Sequence, residues 1–148
     1  MYKRAQGSSD WGSLFVESNR QRLLHLLRPA RNPTTEPWDS TIEQAYNSTL
    51  SLIGSVQLAI EQSERQIDIL RRLLVFPVLL EKPFIDLVEE GRPRALVLMA
   101  HYFALLTSFS HIWWIGDTGK REIVGIQSFL LAEWSDLMRW PLSMAQEV

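Results

Sequence analysis

Histidine is the residue type in this sequence best suited to proton transfer or metal ligation, and it stands at positions 25, 101 and 111. His101 and His111 are ten residues apart, and His25 is remote from both. A zinc hydrolase needs two histidines on adjacent helical turns with a glutamate beside them, and no His-Glu-x-x-His or His-x-x-Glu pairing occurs. The chain has no cysteine, which excludes disulfides, thiol catalysis and cysteine-ligated zinc. No Gly-x-Ser-x-Gly elbow presents a hydrolase nucleophile. The segment "GDTGK" at 116–120 lacks the spacing of a phosphate loop and a preceding strand, so it reads as a turn capping a helix. Glu89 with Glu90, and Glu133 with Asp136, read as solvated faces, because paired-carboxylate catalysis needs buried, convergent groups. Two roles remain for His101: a buried histidine bonded to a neighbour, or a polar anchor at one end of an apolar pocket. Neither a metal nor a cofactor is expected.

The aromatic residues are the second chemical feature. Tyr102, Phe103, Phe109, Trp113, Trp114, Phe129, Trp134 and Trp140 fall within 39 residues. Aromatic rings give large rigid contact area, and Tyr and Trp keep a polar handle that orients a partner. Such a set makes either a packed core or the wall of a cavity for a flat hydrophobic ligand, and spacing alone does not choose. If a ligand site exists, the expected lining is Met99, Tyr102, Phe103, Leu106, Trp113 and Trp114, from their placement on one helix and the turn after it.

These residues lie in a stretch, Ala95 to Gly116, that carries no Asp, Glu, Lys or Arg over 22 residues. That is long enough for a bilayer, which needs ~20. His101, Thr107, Ser108, Ser110 and His111 would then sit at membrane depth, where polar groups are costly. The run is also expected to break near Ser108–Ser110. Amphipathic helices elsewhere need something to cover, and a helix apolar all round suits the centre of a bundle. A central core helix, about 94–109, is the reading.

The elements around it are helical. Asp10 suits an N-cap for a helix through "WGSLFVESNRQRLLHLLR" that Pro29 closes. "RPARNPTTEPW" is too rich in proline for regular structure and reads as a linker. Ser40 with Glu43 has capping-box spacing, and Ile42, Tyr46, Leu50, Ile53, Val56 and Ile60 follow at close to helical period. Ser63 with Gln66 marks a second start, or at least a bend, leading a stripe of Ile67, Leu70, Leu73 and Leu74 to Pro77. Pro83 and Gly91 bound a short helix, Pro93 starts the next, and Asp117 or Thr118 caps another through Leu131. Short pieces broken by Pro141 finish the chain. No segment alternates with period two for long enough to make a strand. The class is all-α, an irregular bundle of about six to eight helices. Residues 1–37 form a basic N-terminal helix and Pro-rich linker, and 38–148 a helical regulatory or ligand-binding domain.

Length and charge agree with this. The chain has 148 residues, 46% hydrophobic and 22% charged, enough for one domain with a real core. A net charge of −2 gives no global attraction to nucleic acid or anionic membrane. The basic bias of the first 31 residues is mild, and "MYKRAQGSSDWGS" lacks the apolar core of a signal peptide.

Three segments, "VFPVLLEKPFIDLVEEGRPRALVLMAHYFALL", "HIWWIGDTGKREIVGI" and "EWSDLMRWPLSMA", resemble the C-terminal end of fungal zinc binuclear cluster transcription factors, in particular sterol uptake control proteins. The resemblance runs from about Tyr46 to Ala145. It implies an all-α regulatory domain that holds a hydrophobic, sterol- or terpenoid-like ligand, forms a homodimer, and works in the cytoplasm or nucleus. Full-length members bind DNA through a six-cysteine cluster absent here, so this chain is expected not to bind nucleic acid directly. Three functions follow as expectations. The first is a ligand-sensing regulatory domain. The second is a small stand-alone enzyme of fungal secondary metabolism that starts at Met1. It would use the apolar pocket for cofactor-free cyclisation, cycloaddition or isomerisation, with His101 or Tyr102 polarising a carbonyl. The third is a dimerisation module without a ligand.

Overall fold

A computed structural model describes residues 14–28 and 36–146. Among these residues there are six α-helices, three 3-10 segments and no strand, so the chain is all-α as its periodicity requires. The α-helices are α1 (Ser40–Glu61), α2 (Gln66–Leu79), α3 (Lys82–Glu89), α4 (Pro93–Leu106), α5 (Thr118–Phe129) and α6 (Arg139–Gln146). The 3-10 segments are Glu17–Leu27, Thr107–Phe109 and Ala132–Met138. Asp10 and most of the proline-rich segment lie outside the described residues.

Helix α4 is the centre. It contacts every other α-helix, and ten of its fourteen residues are buried. Its apolar run ends where expected, passing at Thr107 into a 3-10 turn. No helix among the described residues is long and apolar enough to cross a membrane. Pro93 starts the helix because its missing N–H falls where an intrahelical partner is lacking anyway. Gly91, at φ +73°, supplies the left-handed residue that reverses the chain out of α3.

Several local expectations are corrected. Asp39 rather than Ser40 caps α1, its carboxylate accepting the Ile42 N–H at 2.8 Å, while Glu43 accepts the Trp38 indole N–H at 3.1 Å. The second start does fall at Gln66, but Ser63 makes no cap. It adopts φ +56° and turns the chain after α1. In α2 the buried stripe is Ile69, Leu73 and Phe76, whereas Ile67 and Leu74 are exposed. The helix continues through Pro77 to Leu79. Pro141 does not break the C-terminal piece. It sits in the first turn of α6, where a proline costs little.

Two features join the N-terminal part to this core. The first 3-10 segment lies along α1 so closely that a Cβ on Gly54 would stand 1.8 Å from the Asn19 carbonyl oxygen. Arg20 donates to Ser51 Oγ at 2.9 Å, and Arg22 pairs with Glu61 at the end of α1. The second feature is Arg94, whose side chain is fully buried at the start of α4. Its Nε and Nη2 donate to the two oxygens of Glu36 at 2.5 and 2.9 Å, and its Nη1 donates to the Leu26 carbonyl at 2.7 Å. The guanidinium also lies 5.8 Å from the Trp38 ring and 5.1 Å from the Trp134 ring, within cation–π range. A buried charge is tolerable only with partners of this quality.

Candidate functional site

Helical spacing brings four elements to one groove. On α4 and the 3-10 turn after it, His101, Leu105 and Ser108 stand at i, i+4 and i+7, which is one face. On α6, Trp140 and Met144 repeat the i, i+4 step. Helix α1 contributes Gln57, Ile60 and Glu61. The 3-10 segment adds Leu23, flanked by Arg22 and His25. Together they enclose an open cavity of about 360 Å³, within the range of small-molecule sites. Its walls are Leu23, Ile60, Leu105, Trp140 and Met144, and its charges belong to the side formed by Arg22 and Glu61, which neutralise each other. Two other depressions are different in kind. One is lined by polar residues such as Arg20, Glu43 and Asn47, and the other by Asp117, Lys120, Arg121 and Val124.

His101 is the polar residue deepest in this groove, only 3% exposed. Its Nδ1 lies 2.9 Å from the Val97 carbonyl oxygen, and its ring centroid is 5.6 Å from that of Trp140. Burial pulls its pKa down to about 4, outweighing the opposing effect of the Val97 hydrogen bond, so the ring is neutral at physiological pH. A general base works best with a pKa near the working pH, and His101 is far from that.

Tyr102, the next residue, faces elsewhere. Its ring stacks on Phe76 at 4.1 Å, its hydroxyl donates to the Leu73 carbonyl at 2.8 Å, and burial raises its pKa to about 12. The structure therefore does not bring His101 and Tyr102 to one space.

The six residues expected to line a ligand site are likewise dispersed. Tyr102 and Leu106 are buried, Met99 and Phe103 are half-buried against the core, and Phe103 packs beside Tyr102 at 5.2 Å. Trp113 is 89% exposed and Trp114 51%, because the turn that carries them bulges outward before α5. None of the six borders the 360 Å³ groove. The residues that do, apart from His101, carry a weak signal in the sequence: the i, i+4 repeats His101–Leu105 and Trp140–Met144. What joins them is tertiary packing of α4, α6 and α1, which no local pattern encodes. Among the described residues no three His, Asp or Glu side chains are grouped to hold a metal ion.

Comparison with known proteins points one way. The chain is 36% identical over 74 residues to a Zn(2)-C6 fungal-type transcription factor of Gibberella zeae, a match covering 49% of this chain and 15% of that protein. It is 42% identical over 65 residues to the Zn(2)-C6 fungal-type transcription factor afumD of Aspergillus fumigatus, covering 44% of this chain and 17% of the relative. No family model matches the chain, and no solved structure matches it. The chain thus spans about one sixth of the length of these relatives, and its similarity to fungal Zn(2)-C6 transcription factors holds for part of its own length.

Proposed function

We propose that this chain is the ligand-sensing helical module of a fungal Zn(2)-C6-type transcription regulator. It takes a hydrophobic, sterol- or terpenoid-like molecule in the groove over His101 and acts in the cytoplasm or nucleus. The relatives support the regulatory part of this reading. The observation that carries the sensing part is the groove itself, an apolar cavity of about 360 Å³ with one buried polar side chain at its floor. Its walls come from α1, α4, α6 and the first 3-10 segment, so occupancy favours the packing in which all four are docked. A ligand that binds one packing better than another shifts the population toward it, which is how a small molecule would become a regulatory signal.

A second reading, an interaction module that dimerises, draws on another observation. Trp113, Trp114, Val124, Phe129 and Leu131 are all exposed, on the turn before α5, on α5 and just after it. Exposed large apolar side chains in number often mark a partner surface. An enzymatic reading lacks such support, since the N–H of His101 is held by the Val97 carbonyl and the Tyr102 hydroxyl by the Leu73 carbonyl, leaving neither to polarise a substrate carbonyl.

Ser108→Trp separates these readings. Ser108 is exposed at the groove margin, so an indole there would occupy the groove without disturbing the core. A bound hydrophobic ligand at a hundredfold excess over its Kd should stabilise the wild type by about 2.7 kcal/mol, and the variant not at all. The melting temperatures of both proteins, with and without lipid extracted from the native host, measure this. Equal stabilisation of both proteins would sink the groove as the sensing site. No bound lipid and a concentration-dependent dimer would favour the interaction module.

A further inference from the structure

We propose that His101 makes the groove selective for neutral apolar molecules that donate a hydroxyl, by accepting that hydroxyl's hydrogen bond at Nε2. The inference rests on the ligand-sensing reading of the groove and specifies what the ligand must carry.

The argument is one of proton placement. A backbone carbonyl only accepts, so the 2.9 Å contact between Nδ1 and the Val97 oxygen places the ring proton on Nδ1. A neutral imidazole has one N–H, which leaves Nε2 with a lone pair. Nε2 has no hydrogen-bond partner among the described residues. It is also not enclosed: the one fully enclosed, unpartnered side-chain polar atom among them is Gln127 Oε1. His101 lines the groove, and with Nδ1 held by Val97 its Nε2 is the ring nitrogen left to meet a ligand there. Of the polar residues that line the groove, His101 is the only buried one, beside Leu105, Trp140 and Met144, whereas Gln57, Glu61 and Ser108 are half-buried or exposed.

An alcohol satisfies this acceptor. An ether or ketone brings only lone pairs and leaves Nε2 unpartnered in a desolvated site, which is unfavourable. A carboxylate brings lone pairs and a charge, and the nearby guanidinium of Arg22 is already engaged by Glu61. His25, the other basic group of the groove, has its Nδ1 3.0 Å from the Arg22 carbonyl and is exposed. Position along the groove would follow from the same geometry: the hydroxyl goes in first and the apolar body lies along Leu23 and Ile60.

The experiment is calorimetric titration of the whole chain with three probes of matched length: 1-decanol, its methyl ether and decanoate. The alcohol should bind about tenfold or more tighter than either other probe, the scale of one hydrogen bond. In His101→Phe the alcohol and the ether should bind alike. The imidazole 15N signal of Nε2 in the wild type should move on adding the alcohol and not on adding the ether, a readout that does not depend on the variant folding. Equal binding of alcohol and ether by the wild type would overturn the role of His101 while leaving the groove as a hydrophobic site. Tightest binding of decanoate would overturn it in favour of the basic margin. Failure of all three probes to bind would bring down the ligand-sensing reading together with this one.

Discussion

Burial does most to set the chemistry of individual residues here. His101 is neutral in the folded chain because the protein removes it from water, and an unfolded histidine titrates near 6.5. Between pH 6.5 and about 4 the unfolded state therefore binds more protons than the folded one, so the His101 contribution to stability is complete above 6.5 and is lost as pH falls through that window. The loss should reach up to about 3 kcal/mol at full protonation. Urea unfolding from pH 7 to 4 measures it, with His101→Leu expected to show a flatter profile than the wild type. Arg94 illustrates the opposite case, a buried charge kept by its partners. Glu36→Gln should cost about 3 kcal/mol because it takes the countercharge and one acceptor oxygen from a buried guanidinium. Changing both residues, Arg94→Met with Glu36→Leu, should recover much of that, since an apolar pair avoids burying any charge. Chemical denaturation of the single and double variants decides between the two.

Among the elements, the 3-10 segment Glu17–Leu27 is the unusual one. Runs of this geometry beyond three or four residues are uncommon, and this one spans 11. It is held by packing on α1, and Gly54 makes that approach possible. Gly54→Ala would force a methyl group into the Asn19 carbonyl, so the segment must lift off. The expected result is a loss of about 1–3 kcal/mol, the cost of overpacking. Tryptic cleavage at Arg20 and Arg22 should become faster as well, with α4 and α5 still protected. Unchanged cleavage would mean that the contact is softer than its geometry indicates. This element also shows where sequence pattern stops. Pro83, Gly91 and Pro93 gave correct boundaries because each fixes its own backbone. The stripe of α2 was displaced because which face a helix buries depends on its neighbours. Ser40 was displaced as cap by Asp39, one residue away, because both side chains can accept a backbone N–H.

For the molecule as a whole, α4 was legible as the centre because a long uncharged run among amphipathic helices has nowhere else to go. The groove was not. Met99, Tyr102, Phe103 and Leu106 share a helix with His101, yet helical rotation sends them to other neighbours, and Trp113 and Trp114 follow a turn that leads outward. Only His101, named for its polarity in an apolar run, lies at the groove. Arg94, finally, grips the chain on both sides of one connection, at Leu26 and at Glu36. It acts as a clasp there, adding non-covalent contacts to the covalent link between the two points. Loop closure grows costlier only slowly with length, about 0.6 kcal/mol per doubling. Ten added glycine and serine residues between Pro29 and Thr35 should therefore lower the melting temperature by no more than a few degrees.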